Sequence, residues 1–237
     1  MIETPQYGLT IFKVHFGNLT LKGYTKGEHV LRFEAVCHNT KALRTGRTLD
    51  HFADIVAALA GMLERFCTTL DCVDTAFIPD GILDQLPQPT LLGRTRVGGV
   101  DLDKTRTRHL LTAVVALAAA PDGFGVADLV AKVHVMAAQD SYSSRQAAYD
   151  LRKLRGHNLV TKIGKRHRYQ VPTPAARTIV GILTLRHQVI APIIAGVRVP
   201  RRGRPPATWT AVDQDYENLR RGMTTLFEHL AINTIAA

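Results

Sequence analysis

Apolar positions in the first forty residues alternate. Phe12, Val14 and Phe16 fall on one side of residues 9–16, and after Gly17-Asn18 a second stretch reads Leu19-Thr20-Leu21-Lys22-Gly23-Tyr24. Lys26-Gly27-Glu28 supplies another turn; residues 29–37 follow, with Leu31, Phe33, Ala35 and Cys37 on one side and Arg32 and Glu34 on the other. A period of two sends neighbouring side chains to opposite faces, which predicts an antiparallel meander with one apolar and one wet face. From Thr48 the period changes. Leu49, Phe52, Ile55, Val56, Leu59, Met62, Leu63, Phe66 and Leu70 recur at steps of three and four, the stripe of a long helix able to cover the apolar face of that sheet. An α+β module is expected over residues 1–86.

Residues 80–87 predict a short helical turn. Pro87, Pro89, Gly93, Gly98 and Gly99 then break every period, so residues 87–104 are expected to be a linker. Arg94 and Arg96 within it leave a backbone clamp as the alternative. Helical spacing resumes at residues 108–119 and stops before Pro121-Asp122-Gly123; a second helix over 126–136 turns Leu129, Val130, Val133 and Met136 inward. Ser143 and Ser144 offer hydroxyls to the unpaired amides of a third helix. Its packing side holds Ala147, Ala148, Leu151 and Leu154, while Arg145, Gln146, Tyr149, Arg152 and Lys153 project from the other. Gly156 is expected to end it. The β-branched run 159–163, the turn Gly164-Lys165-Arg166 and residues 167–171 predict a hairpin with a cationic tip.

Residues 174–190 form another apolar helix, with Ile179, Ile182, Leu183 and Val189 inward and Arg177 and Arg186 outward. Thr210 and Asp213 make a capping-box-like start to a last helix striped by Val212, Tyr216, Leu219, Met223, Phe227 and Leu230. Domains are therefore expected at 105–195 and 196–237, and the helices at 174–190 and 211–230 are candidate seams for a homodimer.

The order helix, helix, turn, helix, hairpin over about residues 105–172 resembles the winged helix-turn-helix family. The resemblance implies a recognition helix in the major groove of duplex DNA and a wing on an adjacent groove or the backbone. Ser144, Arg145, Gln146 and Tyr149 would lie at the end that reaches base edges, Arg being suited to guanine and Gln to adenine by bidentate geometry. Tyr149 has packing as a competing role. Arg152 and Lys153, and on the wing Lys162, Lys165, Arg166 and Arg168, are placed for phosphates. Arg201-Arg202-Gly203-Arg204-Pro205 contains Arg-Gly-Arg-Pro, which resembles the core of an AT-hook, where glycine lets an extended backbone enter a narrow minor groove. A general phosphate-binding loop is the plainer expectation for Arg201, Arg202 and Arg204.

Charge agrees with a polyanionic partner. The chain carries a net +10, but residues 143–206 hold fourteen Lys or Arg and one acid, Asp150. Such a stripe attracts phosphate backbones through counterion release. Three cysteines, no leader pattern and no run of about eighteen apolar residues lead to the expectation of a bacterial cytoplasmic, nucleoid-associated protein without a membrane span.

Enzyme signatures are missing. There is no GxxxxGK[ST], GxSxG or HExxH pattern. Cys67 and Cys72, five apart on a helix, lie about 140° apart, and Asp101 and Asp103 lack a third ligand and suit a helix N-terminus better. No catalytic residue, metal or cofactor is expected. The function expected is duplex DNA binding, as a site-specific transcriptional regulator. The alternative is DNA replication initiation or a mobile-element role, alone or as the C-terminal part of a longer protein: Tyr24-Thr-Lys26, Leu31-Arg32-Phe33-Glu34 and Lys41-Ala-Leu43 resemble initiators of phages and rolling-circle plasmids. Those use paired histidines and a tyrosine, whereas this chain offers the isolated His15, and Arg32 with Glu34 also fits a cross-strand charge pair. A protein-contacting adaptor is the third class.

Overall fold

A computed structural model describes residues 2–3, 11–26, 29–43, 50–137, 141–198 and 208–230. The fold is α+β, and the chain divides into two compact units, Met1–Val180 and Gly181–Ala237.

The first unit opens with a four-stranded antiparallel sheet in the order β1 (Ile2–Glu3), β2 (Ile11–Phe16), β3 (Leu19–Lys26) and β4 (Val30–Cys37). The register sets Leu19 opposite Cys37, Leu21 opposite Ala35 and Gly23 opposite Phe33. That pairing gathers one apolar face, onto which α1 (Phe52–Asp74) brings Ile55, Met62 and Phe66. Phe33 meets Phe66 edge to face at 5.6 Å, and Gly23 leaves the room, since a Cβ there would stand 2.7 Å from the Phe33 ring. Ala119, in the turn at residues 117–119, closes the same core. The expected stripe is longer than the buried one. Leu31 is 64 % exposed, and Phe52, Val56 and Leu70 are exposed as well: Leu31 lies opposite Thr25 near the sheet end, and α1 buries only the narrower line of Ile55, Met62, Phe66 and Cys72. Farther along α1, Cys72 is buried, its thiol 3.9 Å from the Thr173 carbonyl.

Residues 87–104 are not a linker. After the one-turn α2 (Ile82–Gln85), β5 (Thr90–Leu92) and β6 (Thr95–Val97) pair as a hairpin, with Gly93 at φ +63° in the turn. Leu86, Val97 and Val100 are buried, and the Val100 amide donates to the Leu86 carbonyl at 2.6 Å. Gly99 permits that closure: a Cβ there would meet the Pro87 carbonyl oxygen at 1.9 Å.

Helices α3 (Thr105–Ala116), α4 (Val126–Ala137) and α5 (Ser144–Gly156) share a core of Leu110, Leu111 and Val114, Leu129 and Val133, and Ala147, Leu151 and Leu154. Strands β7 (Thr161–Lys162) and β8 (Tyr169–Gln170) pair behind them. Phe124, from the α3–α4 connection, exchanges both backbone hydrogen bonds with Tyr169, at 2.9 and 2.8 Å, and so adds a third edge to the hairpin. Gly156 is the last helical residue, but the left-handed position after the helix is Asn158 at φ 57°. Gly156 serves packing instead: a Cβ would come within 2.4 Å of Thr90 and 2.8 Å of Val97.

Helix α6 (Thr173–Thr184) buries Ala175, Ala176, Ile179, Val180 and Ile182, and the first unit ends at Val180 rather than at the expected 195. In the second unit a π-helical segment, Leu185–Ile190, leads to α7 (Ala191–Arg198), which packs against α8 (Ala211–His229). Thr210 and Asp213 form the expected capping box, and the Tyr216 hydroxyl donates to the Gln188 carbonyl. Val212, Leu219 and Leu230, expected to pack, are exposed, because α8 turns its Tyr216 and Met223 side inward. Phe227's side chain lies outside what is described. Among the described helices, Thr173–Ala195 alone reaches the length and mean hydropathy, 1.5, of a membrane span; Arg177 and Arg186 lie inside it, and six of its side chains, Ala175, Ala176, Ile179, Val180, Ile182 and Ile193, are core residues.

Candidate nucleic-acid interface

Helix α5 begins with a reciprocal cap. Ser143 Oγ accepts from the Gln146 amide at 3.3 Å, and Gln146 Oε1 accepts from the Ser143 amide at 2.8 Å and its hydroxyl at 3.1 Å. Two otherwise orphaned helical donors are satisfied. The same bonds correct the expectation for Gln146, since bidentate adenine contact needs the carbonyl oxygen that the cap already uses.

The inward face of α5 includes an acid. Asp150 is 2 % exposed and accepts hydrogen bonds from the Tyr142 hydroxyl at 3.0 Å and from Arg106 Nη2 at 3.2 Å. Burial first, and then the Asp150 carboxylate, hold the Tyr142 phenol far above its usual range. A buried carboxylate requires such partners. The single acid of residues 143–206 is thereby withdrawn from the surface. Its position was recoverable from spacing, three residues after Ala147 and four before Leu154.

What α5 leaves outside is basic. Arg145 and Arg152 are exposed, as is Ser144, and neither arginine has an acidic partner among the described residues. Tyr149 packs only in part: it is 43 % exposed, its ring lies 4.9 Å beneath the Lys153 ammonium, and both side chains border Gly98, where a Cβ would stand 3.1 Å from the Tyr149 hydroxyl. The β5–β6 hairpin thus flanks α5 along Tyr149, Lys153 and Gly156 and sets exposed Arg94 and Arg96 nearby.

On the β7–β8 hairpin, Gly164 turns the chain at φ +53°, Lys165 and Arg166 are exposed and Lys162 is half-buried. Arg168 departs from expectation. Its guanidinium binds Asp128 at 2.9 Å, the Asp122 carbonyl at 3.2 Å and the Gly123 carbonyl at 2.5 Å. It anchors the hairpin to the α3–α4 connection rather than facing a phosphate. Arg201, Arg202 and Arg204, and with them the Arg-Gly-Arg-Pro stretch, lie outside the described residues.

No family model, curated protein or solved structure matches this chain. The side chains themselves carry what can be said of the site. Among the described residues no three His, Cys, Asp or Glu side chains gather as a metal site would require. Asp101 is held by the Lys104 ammonium at 3.2 Å and accepts from the Asp103 amide at 3.0 Å. On the sheet, Thr20 Oγ1 lies 3.0 Å from His15 Nδ1 and 3.2 Å from His38 Nε2, so His15 shares a polar chain that spacing did not reveal.

Proposed function

We propose that this protein binds duplex DNA as a winged-helix protein and acts as a site-specific transcriptional regulator on the bacterial nucleoid. Helix α5 enters the major groove with Arg145 leading, Arg152 follows the backbone, and the β7–β8 hairpin is the wing whose tip, Lys165 and Arg166, reaches phosphates. One observation supports this above the others. Four exposed cations on adjacent elements have no counter-ion among the described residues, while the nearby acid, Asp150, is buried. Partnered cations belong to a solvated surface; an unpartnered cluster favours a polyanion.

The test is selection from a random duplex library across a salt series, with sequencing of what is retained. An enriched motif on intact strands is the expected result, with log affinity falling against log salt at a slope of roughly −3 for the three phosphate contacts of Arg152, Lys165 and Arg166. Salt-insensitive retention, or nicked duplexes, would remove the binder assignment.

A further inference from the structure

The first unit contains a cleft of about 720 Å³ between the sheet and helix α4. That lies within the 300–1,000 Å³ span of small-molecule sites, roughly. Its walls are of two kinds. Phe16, Leu117, Phe124 and Ala131 supply an apolar lining, and Lys132 enters from α4 as one of its cations, with Lys13, Lys41 and Arg168 also on the walls.

Lys132 is the informative side chain. It is half-buried, and its ammonium has neither a hydrogen-bond acceptor nor an acidic partner among the described residues. Among the described residues its one compensation is the Phe16 ring, 5.9 Å from the ammonium to its centroid, at the outer limit of useful cation–π contact. Burial lowers the Lys132 pKa from its usual range, with no opposing charge to raise it. Of the two carboxylates lining the cleft, Asp128 holds Arg168 at 2.9 Å and the Gly125 amide at 2.8 Å, and neither it nor Asp122 pairs with Lys132. A desolvated cation facing an apolar hollow is completed by an anion whose remainder is apolar.

We propose that this cleft is a binding site for a small organic anion, its apolar body against Phe16, Leu117 and Phe124 and its carboxylate, sulfonate or phosphate on Lys132. The site is independent of the DNA surface. It does touch the frame of the β7–β8 hairpin, because Phe124 pairs with Tyr169 and Asp128 holds Arg168.

The probe for the test is 1-anilinonaphthalene-8-sulfonate, titrated into the full chain without DNA and followed by fluorescence, beside the uncharged N-phenyl-1-naphthylamine. One-to-one saturable binding of the sulfonate is expected. Lys132→Met, which keeps the length of the side chain, weakens the sulfonate by about tenfold or more and leaves the uncharged probe within about twofold; Lys132→Arg retains the sulfonate. Equal sulfonate affinity in wild type and Lys132→Met overturns the proposal, as does binding of several probes per chain. Amide hydrogen exchange in the wild type locates the probe whether or not the variants fold. Saturation slows exchange at Phe124 and Tyr169, and unchanged rates there overturn the assignment.

Discussion

Two surfaces of the first unit carry arginine and differ in what they do with it. On the outer face of the sheet, Arg32 meets Glu34 at 3.2 Å and the Tyr24 hydroxyl donates to the same carboxylate at 2.6 Å; that hydrogen bond is the main cause of the raised Tyr24 pKa. The charges there close on one another. On α5 and the β7–β8 hairpin, Arg145, Arg152, Lys165 and Arg166 stand without such closure, and the acid that could have provided it faces the core. Pairing, rather than the number of charges, separates a solvated face from one suited to an external polyanion.

The largest effect is expected from undoing the burial of acid. Asp150→Ala strips Tyr142 and Arg106 of their shared acceptor and should lower unfolding free energy by about 3 kcal/mol, read from urea denaturation; a loss below about 1 kcal/mol would mean that the carboxylate is not held as described. Next, Arg145→Ala with Arg152→Ala should weaken a selected duplex by about 1–3 kcal/mol for a base contact while changing stability little. Lys165→Gln with Arg166→Gln should weaken selected and random duplexes alike and make the salt slope shallower by about 2. Loss confined to the selected duplex would exchange the roles of helix and hairpin.

The self-paired surface should respond least. Glu34→Gln should alter stability by under about 1 kcal/mol and leave DNA affinity alone; a loss of affinity would bring the sheet into the interface and dissolve the contrast. The same closed arrangement recurs in the second unit, where hydrogen bonds from Arg220 first, and then from Arg221, lower the Glu217 pKa to about 2. A depressed carboxylate contributes stability that is complete above the ordinary glutamate range near about 4.3 and is lost as pH falls toward about 2. Helicity of α8, followed by circular dichroism, should therefore keep this small increment at pH 5 and shed it toward pH 2, and Glu217→Gln should abolish that step.

Much of this was legible along the chain. Alternation located β2, β3 and β4, the three-and-four spacing located α1 and α3 to α5, and the serines at 143 and 144 marked where α5 starts. The β5–β6 hairpin was hidden because its strands have three residues each and lie among prolines and glycines that ordinarily signal irregular chain, although Leu92-Gly93-Arg94-Thr95 is a plausible turn. Gln146 and Arg168 illustrate a different limit. Residue type identified both as donors able to read or bind DNA; the cap that occupies Gln146 is a local Ser-x-x-Gln signature, whereas the partners of Arg168, Asp128 and the carbonyls of residues 122 and 123, depend on three-dimensional proximity. Lys132 was likewise invisible, since only the fold shows that it lacks a partner.

Arg168 fixes one side of the five-residue excursion from Ile163 to His167, and the Ile163 amide, donating to the Arg168 carbonyl at 2.9 Å, fixes the other. The tip therefore has few conformations to surrender when something docks on it, and the entropic penalty of ordering a free loop, about 1–2 kcal/mol per residue, has largely been met during folding. A tip prepared in this way gains residence time rather than speed of encounter, and each residue inserted between Gly164 and His167 would return part of that penalty to the moment of binding.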